Sequence, residues 1–102
     1  MAGNTVIYIC VKEVKDHCAA GYKPGDIIIV ERFYIKPLQK VKICLHALNA
    51  MLTFLVPLLK GISASELGIG KEEAIGYVQC PDPGTPYTCG GTVVFELKRK
   101  IE

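Results

Sequence analysis

Cysteine is the residue type in this chain most able to do chemistry, and there are five of them: Cys10, Cys18, Cys44, Cys80 and Cys89. Zinc favours four thiolate or imidazole ligands, and soft thiolates also suit iron–sulfur centres. The candidate metal ligands are Cys18, Cys44 and Cys80, with Cys89 as a weaker candidate. The spacing is not diagnostic of zinc, because the chain has no Cys-x-x-Cys pair.

Two histidines, His17 and His46, are the imidazoles that could complete such a site or act as a base. Residues 44 and 46 of one helix project about 200° apart, so Cys44 and His46 cannot both face one ion. His46 instead falls on the polar side of the predicted helix. A metal site would therefore depend on cysteines that converge from distant segments.

Two further interpretations of the cysteines stay open. If Cys44 lies in the first turn of a helix, the unpaired N–H groups there, with Lys40 and Lys42, would favour its thiolate. Cys80 or Cys18 would then be the second thiol of a redox pair. Alternatively, the cysteines are buried as small apolar side chains. No catalytic residue can be assigned from the sequence.

Glycine and aspartate residues in the predicted loops are expected to hold turns. Residues 23–26, Lys-Pro-Gly-Asp, fit a type II turn with Pro and Gly at its centre. Asp82 lies between two prolines, where a carboxylate commonly accepts a backbone N–H. We therefore expect structural roles in loops for Gly25, Asp26 and Asp82.

The elements that must position these residues follow from the hydrophobic pattern. Apolar alternation and β-branched runs predict strands at residues 5–12, 27–30, 74–80 and 92–98. The first strand is apolar on both faces, which places it in the interior of the sheet. The expected fold is a single α+β domain, residues 1–102, in the order β-β-α-β-β. Its four-stranded, mainly antiparallel sheet packs on one long apolar helix.

That helix is predicted at residues 43–60, where polar residues recur at helical spacing on one side only. Pro57 is expected to kink the helix or to open its last turn. The apolar stretch is short for a membrane span and contains His46 and Asn49, so no membrane is expected as a partner. The apolar face is wider than one sheet can cover, which predicts a homodimer through the 43–60 helix.

Composition limits the classes of function. Hydrophobic residues make up 50% of the chain, enough for a packed core and too many for a disordered protein. The net charge is only +2 and the basic residues are scattered, apart from the run at residues 98–100 that a solvated strand end explains, so no nucleic acid is expected as a partner. Residues 1–4 lack the basic start of an export signal, and an odd number of cysteines argues against a disulfide framework. The expected location is therefore cytoplasmic.

Several short motifs follow one another in a specific order. Cys18 precedes Gly25-Asp26, Cys44 opens the apolar helix, and Cys80-Pro81-Asp82 precedes the run Val-Val-Phe-Glu at residues 93–96. In these motifs the chain resembles an uncharacterised family of small bacterial and archaeal proteins, over nearly all of its length after residue 5. The family has no established function. The resemblance implies that Cys18, Cys44 and Cys80 are the cysteines typical of the family and that Cys10 and Cys89 are additions.

The function expected from these patterns is that of a small soluble binding or assembly module of unidentified ligand, in which the clustered cysteines could hold a metal. Two alternatives come from other classes. One is a thiol-dependent redox enzyme that uses Cys44 with Cys80, and the other is a purely structural dimerisation domain.

Overall fold

The structure is a computed structural model that describes residues 4–16, 18, 20–36 and 41–102. Three strands, one helix and two further strands follow one another in this part of the chain. Their bounds are β1 Thr5–Lys15, β2 Ile27–Glu31, β3 Tyr34–Lys36, α1 Leu45–Leu59, β4 Ile75–Gln79 and β5 Thr92–Ile101. Two residues named above, His17 and Lys40, lie outside the described residues.

The strands form one antiparallel sheet in the order β3-β2-β1-β5-β4. β1 lies at its centre, which confirms the interior position predicted from its two apolar faces. The ladder between β1 and β5 is the longest, and a β-bulge interrupts it between Val11 and Glu13. It extends to the ends of the described part of the chain, where Asn4 and Glu102 exchange backbone hydrogen bonds of 2.7 and 2.8 Å.

The hydrophobic core lies between one face of the sheet and α1. The strands contribute alternate residues to it, as the two-residue period of a strand requires. Those on β1 and β5 are Ile7, Ile9, Val11, Val93, Phe95 and Leu97. α1 contributes Ala47, Met51, Leu55 and Leu58. The other face of the sheet carries no helix in the described chain, and the fold is therefore two layers thick.

The expectation of an α+β fold with one helix on an antiparallel sheet is confirmed, but the sheet has five strands rather than four. The additional strand, β3, is three residues long and follows β2 after a two-residue turn, Arg32 and Phe33. Turns of this length usually contain Gly, Asn or Asp. This one has none of them, so nothing in the sequence separates β2 from β3.

The prediction of a long helix is also wrong, since α1 has 15 residues and begins at Leu45 rather than at residue 43. Cys44 is its N-cap with an extended ψ of 130°, so Ile43 is outside the helix. Pro57 lies in the last turn, Lys60 is the C-cap and Gly61 follows with φ +98°. Glycine adopts this left-handed conformation without a Cβ clash, which ends the helix. No helix in the described part of the chain is long and apolar enough to cross a membrane.

Candidate functional site

The five cysteines occupy different environments and all are free thiols. Cys80 is buried, Cys10, Cys18 and Cys44 are half-buried, and Cys89 is exposed. Cys18, Cys44 and Cys80 all border the hydrophobic core. Within residues 4–16, 18, 20–36 and 41–102, no three His, Cys, Asp or Glu side chains are arranged to hold a metal ion. The three candidate ligands thus share a core boundary without forming a metal centre in this structure.

Cys44 is positioned by a tyrosine. The Cys44 N–H donates a 2.8 Å hydrogen bond to the Tyr22 hydroxyl, and the Tyr22 ring packs edge-on against Phe95, with centroids 5.5 Å apart. Burial raises the pKa of Tyr22, and the nearby Cys44, Cys18 and Asp26 raise it further, while the Cys44 N–H acts in the opposite sense. Tyr22 is therefore a neutral phenol at ordinary pH. The group beside Cys44 is a weak acid rather than a general base.

The turn before β2 is built from the two loop residues singled out in the sequence. Gly25 has φ +98°, as the third residue of a type II turn requires, and its N–H donates to the Val11 carbonyl at 2.8 Å. Asp26 accepts the Lys23 N–H on its Oδ2 at 2.9 Å. The first contact ties the turn to β1, and the second is within the turn itself.

Asp82 organises the loop between β4 and β5. Its Oδ1 accepts the Gly84 N–H at 2.8 Å and the Thr88 hydroxyl, and its backbone carbonyl accepts the Thr92 hydroxyl at 2.6 Å. The Thr88 hydroxyl lowers the pKa of Asp82 most, followed by the Gly84 N–H, while burial raises it to a smaller extent. The carboxylate is ionised and occupied by loop donors.

His46 faces this loop and not Cys44. With Pro81, Asp82 and Thr88 it lines a depression of about 260 Å³. The separation of Cys44 from His46 expected from helical geometry is therefore present in the structure. Among the described residues, the thiols and the imidazole do not form a nucleophile–base pair of the kind that covalent catalysis needs.

A concave apolar surface lies elsewhere, between α1 and the β2–β3 turn, and we call it the α1 groove. It has a volume of about 250 Å³. Its apolar walls are Val30, Phe33, Tyr34, Ile35, Leu48, Leu52, Leu55, Val56 and Leu59. Several of these side chains are strongly exposed, with Phe33 at 77% and Leu52 at 52%. Leu45, on the same side of α1, is 80% exposed.

The groove exists because the apolar arc of α1 is wider than its contact with the sheet. At about 100° per residue, the apolar side chains of α1 cover roughly 200° of the helix circumference. The core takes about half of that arc, through Ala47, Met51 and Leu58. The other half contains Leu45, Leu52 and Val56 and is open to solvent.

A second depression, of about 190 Å³, adjoins the α1 groove at the C-terminal end of the helix. The two share Arg32, Phe33, Val56 and Leu59, and Thr5 and Lys60 complete the smaller one. The Lys60 ammonium lies 5.1 Å from the centre of the Phe33 ring. Arg32 donates a 3.4 Å hydrogen bond to the Asn4 side chain. The apolar groove therefore opens at one end between two cationic side chains, which we call its cationic mouth.

The sequence contains one signal for this surface, the surplus apolar width of the helix. It contains no signal for the opposing wall, because the β2–β3 turn lacks turn-forming residues and β3 is too short to recognise. Comparison of the chain with protein-family models, with curated proteins and with solved structures finds no match in any of the three.

Proposed function

We propose that this protein is a small binding module without catalysis of its own and that the α1 groove is its binding surface, where it takes the apolar part of a small molecule. The observation that supports this most is the exposed apolar half of α1 facing an apolar wall from the β2–β3 turn. Exposed apolar surface that is contiguous and concave is typical of binding sites, because scattered apolar side chains do not form grooves.

The dimensions of the groove favour a small ligand. Small-molecule sites commonly have volumes of about 300–1,000 Å³ and are lined mostly by apolar side chains with a few polar groups. The α1 groove and its cationic mouth, about 250 and 190 Å³, together reach the lower part of that range. Both walls are regular elements or a two-residue turn, so the site is preformed.

The test uses a neutral solvatochromic dye, Nile red, as an apolar probe. We expect the protein to bind the dye and the double variant Leu52→Ser, Val56→Ser to bind it several-fold more weakly, because both side chains line the groove. Ile101→Ser is the matched control, since Ile101 is 72% exposed at the end of β5 and outside the groove. Equal dye binding by all three proteins would disprove the proposal.

A second copy of the chain is the other candidate occupant, and the spacing along α1 supports it. The apolar positions 45, 48, 56 and 59 lie symmetrically about Leu52, seven and four residues to either side. Two antiparallel copies of such a stripe match about a two-fold axis, as a self-complementary dimer interface requires. Sedimentation velocity over a concentration series would detect this dimer. Leu45→Ser should weaken it, whereas the dye site should keep its affinity in that variant.

A further inference from the structure

From the cationic mouth of the α1 groove, we infer that the ligand is an amphipathic acid, a single acyl chain that ends in a carboxylate. This inference rests on the proposed function and names the ligand class of the same site. The chain would lie against Leu52, Val56 and Phe33, and the carboxylate would lie between Arg32 and Lys60. The charges, the backbone and the shape of the site each support this assignment.

The charged side chains that line the groove and its mouth, Arg32 and Lys60, are both positive. α1 contains no Asp or Glu residue, and Lys60 follows it directly. Three ion pairs occur among the described residues, and neither Arg32 nor Lys60 takes part in any of them. The adjacent carboxylate, Glu31, is paired with Lys36 at 3.4 Å. The mouth therefore offers two cationic donors to an anion, and a guanidinium matches a carboxylate with two parallel hydrogen bonds.

The backbone conformation of Arg32 supports the same assignment independently of charge. Arg32 has φ +56° at the first central position of a two-residue hairpin turn, a place that glycine ordinarily occupies. A side chain in this region costs conformational free energy, and such residues concentrate at functional sites. Here the strained residue is the one whose guanidinium reaches the mouth of the groove. Glycine would adopt this conformation at a lower cost, and we assign the arginine side chain to ligand binding.

The shape of the site favours one chain over two. The groove and its mouth share four lining residues, so they form one continuous path along the side of α1. The helix of 15 residues is about 22 Å long, and the path follows it from Leu48 to Lys60. A narrow path with an apolar body and one charged end accommodates a monoanion with a single tail.

The experiment compares decanoate with decanol, which has the same chain without the charge, by two-dimensional amide NMR titration below the micellar concentration. We expect decanoate to shift amides of residues 30–35 and 52–60 and to bind at least several-fold more tightly than decanol. Arg32→Gly and Lys60→Gln should each weaken decanoate roughly three- to tenfold and leave decanol unchanged. Arg32→Gly should melt no lower than the wild type, because glycine relieves the strained turn.

Two control variants make the same kinds of substitution at positions away from the cationic mouth. Asp16→Gly also replaces a non-glycine residue with positive φ, at +61°, but far along the chain from the mouth. Lys98→Gln also removes one exposed lysine charge, on the opposite face of the sheet. Both should bind decanoate as the wild type does.

The outcomes separate this inference from the proposed function. Suppose that decanoate and decanol bind with equal affinity and that the Leu52→Ser, Val56→Ser variant binds neither. This result would disprove the preference for a carboxylate and would support the α1 groove as the binding surface. No binding of either compound would overturn both. Association with vesicles of anionic phospholipid that depends on Arg32 and Lys60, without binding of free decanoate, would overturn the single-chain ligand in favour of a membrane surface.

Discussion

Tyr22 is the side chain that ties the start of the helix to the core. Its ring is buried against Phe95, and its hydroxyl accepts the N–H of Cys44, the N-cap of α1. The Cys44 side chain makes no capping hydrogen bond of its own. The first turn of a helix has N–H groups without partners in the helix, so an acceptor supplied from the core stabilises this end.

Replacing Tyr22 with Phe should lower the free energy of unfolding by about 1 kcal/mol, because the Cys44 N–H loses its acceptor. The pKa of Tyr22 is raised above 10.0, chiefly by burial, so the fold favours the neutral phenol. This contribution is complete below about pH 10 and is lost as the pH rises beyond it. Urea unfolding should therefore show a larger alkaline loss of stability for the wild type than for Tyr22→Phe. Equal losses would contradict this role of Tyr22.

Arg99 has the corresponding role at the other end of α1. Its Nη1 donates to the carbonyls of Leu58 and Ile62, each at 3.0 Å, and its Nη2 lies 3.3 Å from Glu73 Oε1. The side chain is only 11% exposed. The last carbonyls of a helix have no partner within it, and a guanidinium satisfies two acceptors at once.

Arg99→Ala should lower the free energy of unfolding by about 2 kcal/mol, since the Leu58 and Ile62 carbonyls lose a charged donor and only that of Leu58 keeps a backbone donor, the Gly61 N–H at 3.1 Å. Arg99→Lys should recover only part of this, because an ammonium cannot span both acceptors in the same plane. Glu73→Gln should change stability by about 0.5 kcal/mol or less, as Glu73 is 76% exposed. Chemical denaturation of the three variants would check the order, and a large effect of Glu73→Gln would show that the ion pair dominates.

At the scale of elements, β4 is a sheet edge that the preceding loop covers. The Tyr77 N–H donates to the Ile69 carbonyl at 2.7 Å, on the side of β4 that faces away from β5. Gly70 lies against the backbone carbonyl of Ile75, and Gly76 lies against the Ile69 side chain. Unpaired N–H groups on an edge strand can pair with a strand of another molecule, and this loop covers part of that edge.

Alanine at the two glycines should have different costs. A Cβ at position 70 would collide with a backbone carbonyl that cannot move without breaking the sheet, so Gly70→Ala should cost about 2–3 kcal/mol. A Cβ at position 76 would lie 2.6 Å from Ile69 Cδ1, a flexible side-chain end. Gly76→Ala should therefore cost about 1–2 kcal/mol, and the added change Ile69→Ala should recover part of it. Thermal unfolding would measure both, and a Gly70→Ala variant as stable as the wild type would contradict the close contact.

Much of the fold could be predicted from the sequence, because the elements that bury the most apolar surface have the clearest hydrophobic patterns. β5 and the helix have clear hydrophobic periods, β1 is a continuous apolar run, and the Pro-Gly pair specified the turn before β2. β3 could not be predicted, since its turn consists of Arg32 and Phe33 and its three residues are too few for a period. The binding surface depends on that same turn. The cysteines could be singled out by type, but their separation depends on tertiary placement that spacing alone does not determine.

At the scale of the molecule, the fold is a two-layer plate with extents of 50 × 30 × 19 Å. One helix of 15 residues covers a sheet of five strands, so much of the structure relies on the ladder of β1 with its two neighbours. Elements that are paired on both sides open only with the whole molecule, whereas a helix exposed over much of its surface can open alone.

Native-state hydrogen exchange should reflect this arrangement. Amides in the centre of β1 and β5 should exchange most slowly, at the free energy of global unfolding. Amides of α1 on the groove side should exchange faster, because they lose fewer buried contacts when they open. Decanoate at saturating concentration should slow the amides of both α1 and β1, because it binds only the folded protein and so raises the free energy of local and of global opening. Uniform protection across α1 and β1 would indicate a single cooperative unit instead.

The backbone hydrogen bonds between Asn4 and Glu102 hold these two residues side by side, so a short linker could join them in a circular permutant. β1 and β5 form the longest ladder, yet they lie at opposite ends of the sequence, so folding must close nearly the whole chain to form it. A circular permutant that joins residue 102 to residue 4 through a short glycine linker, and opens between residues 85 and 91, would make this ladder a hairpin. Shorter loop closure lowers the entropic barrier, so the permutant should fold faster by stopped-flow while keeping the same strand order.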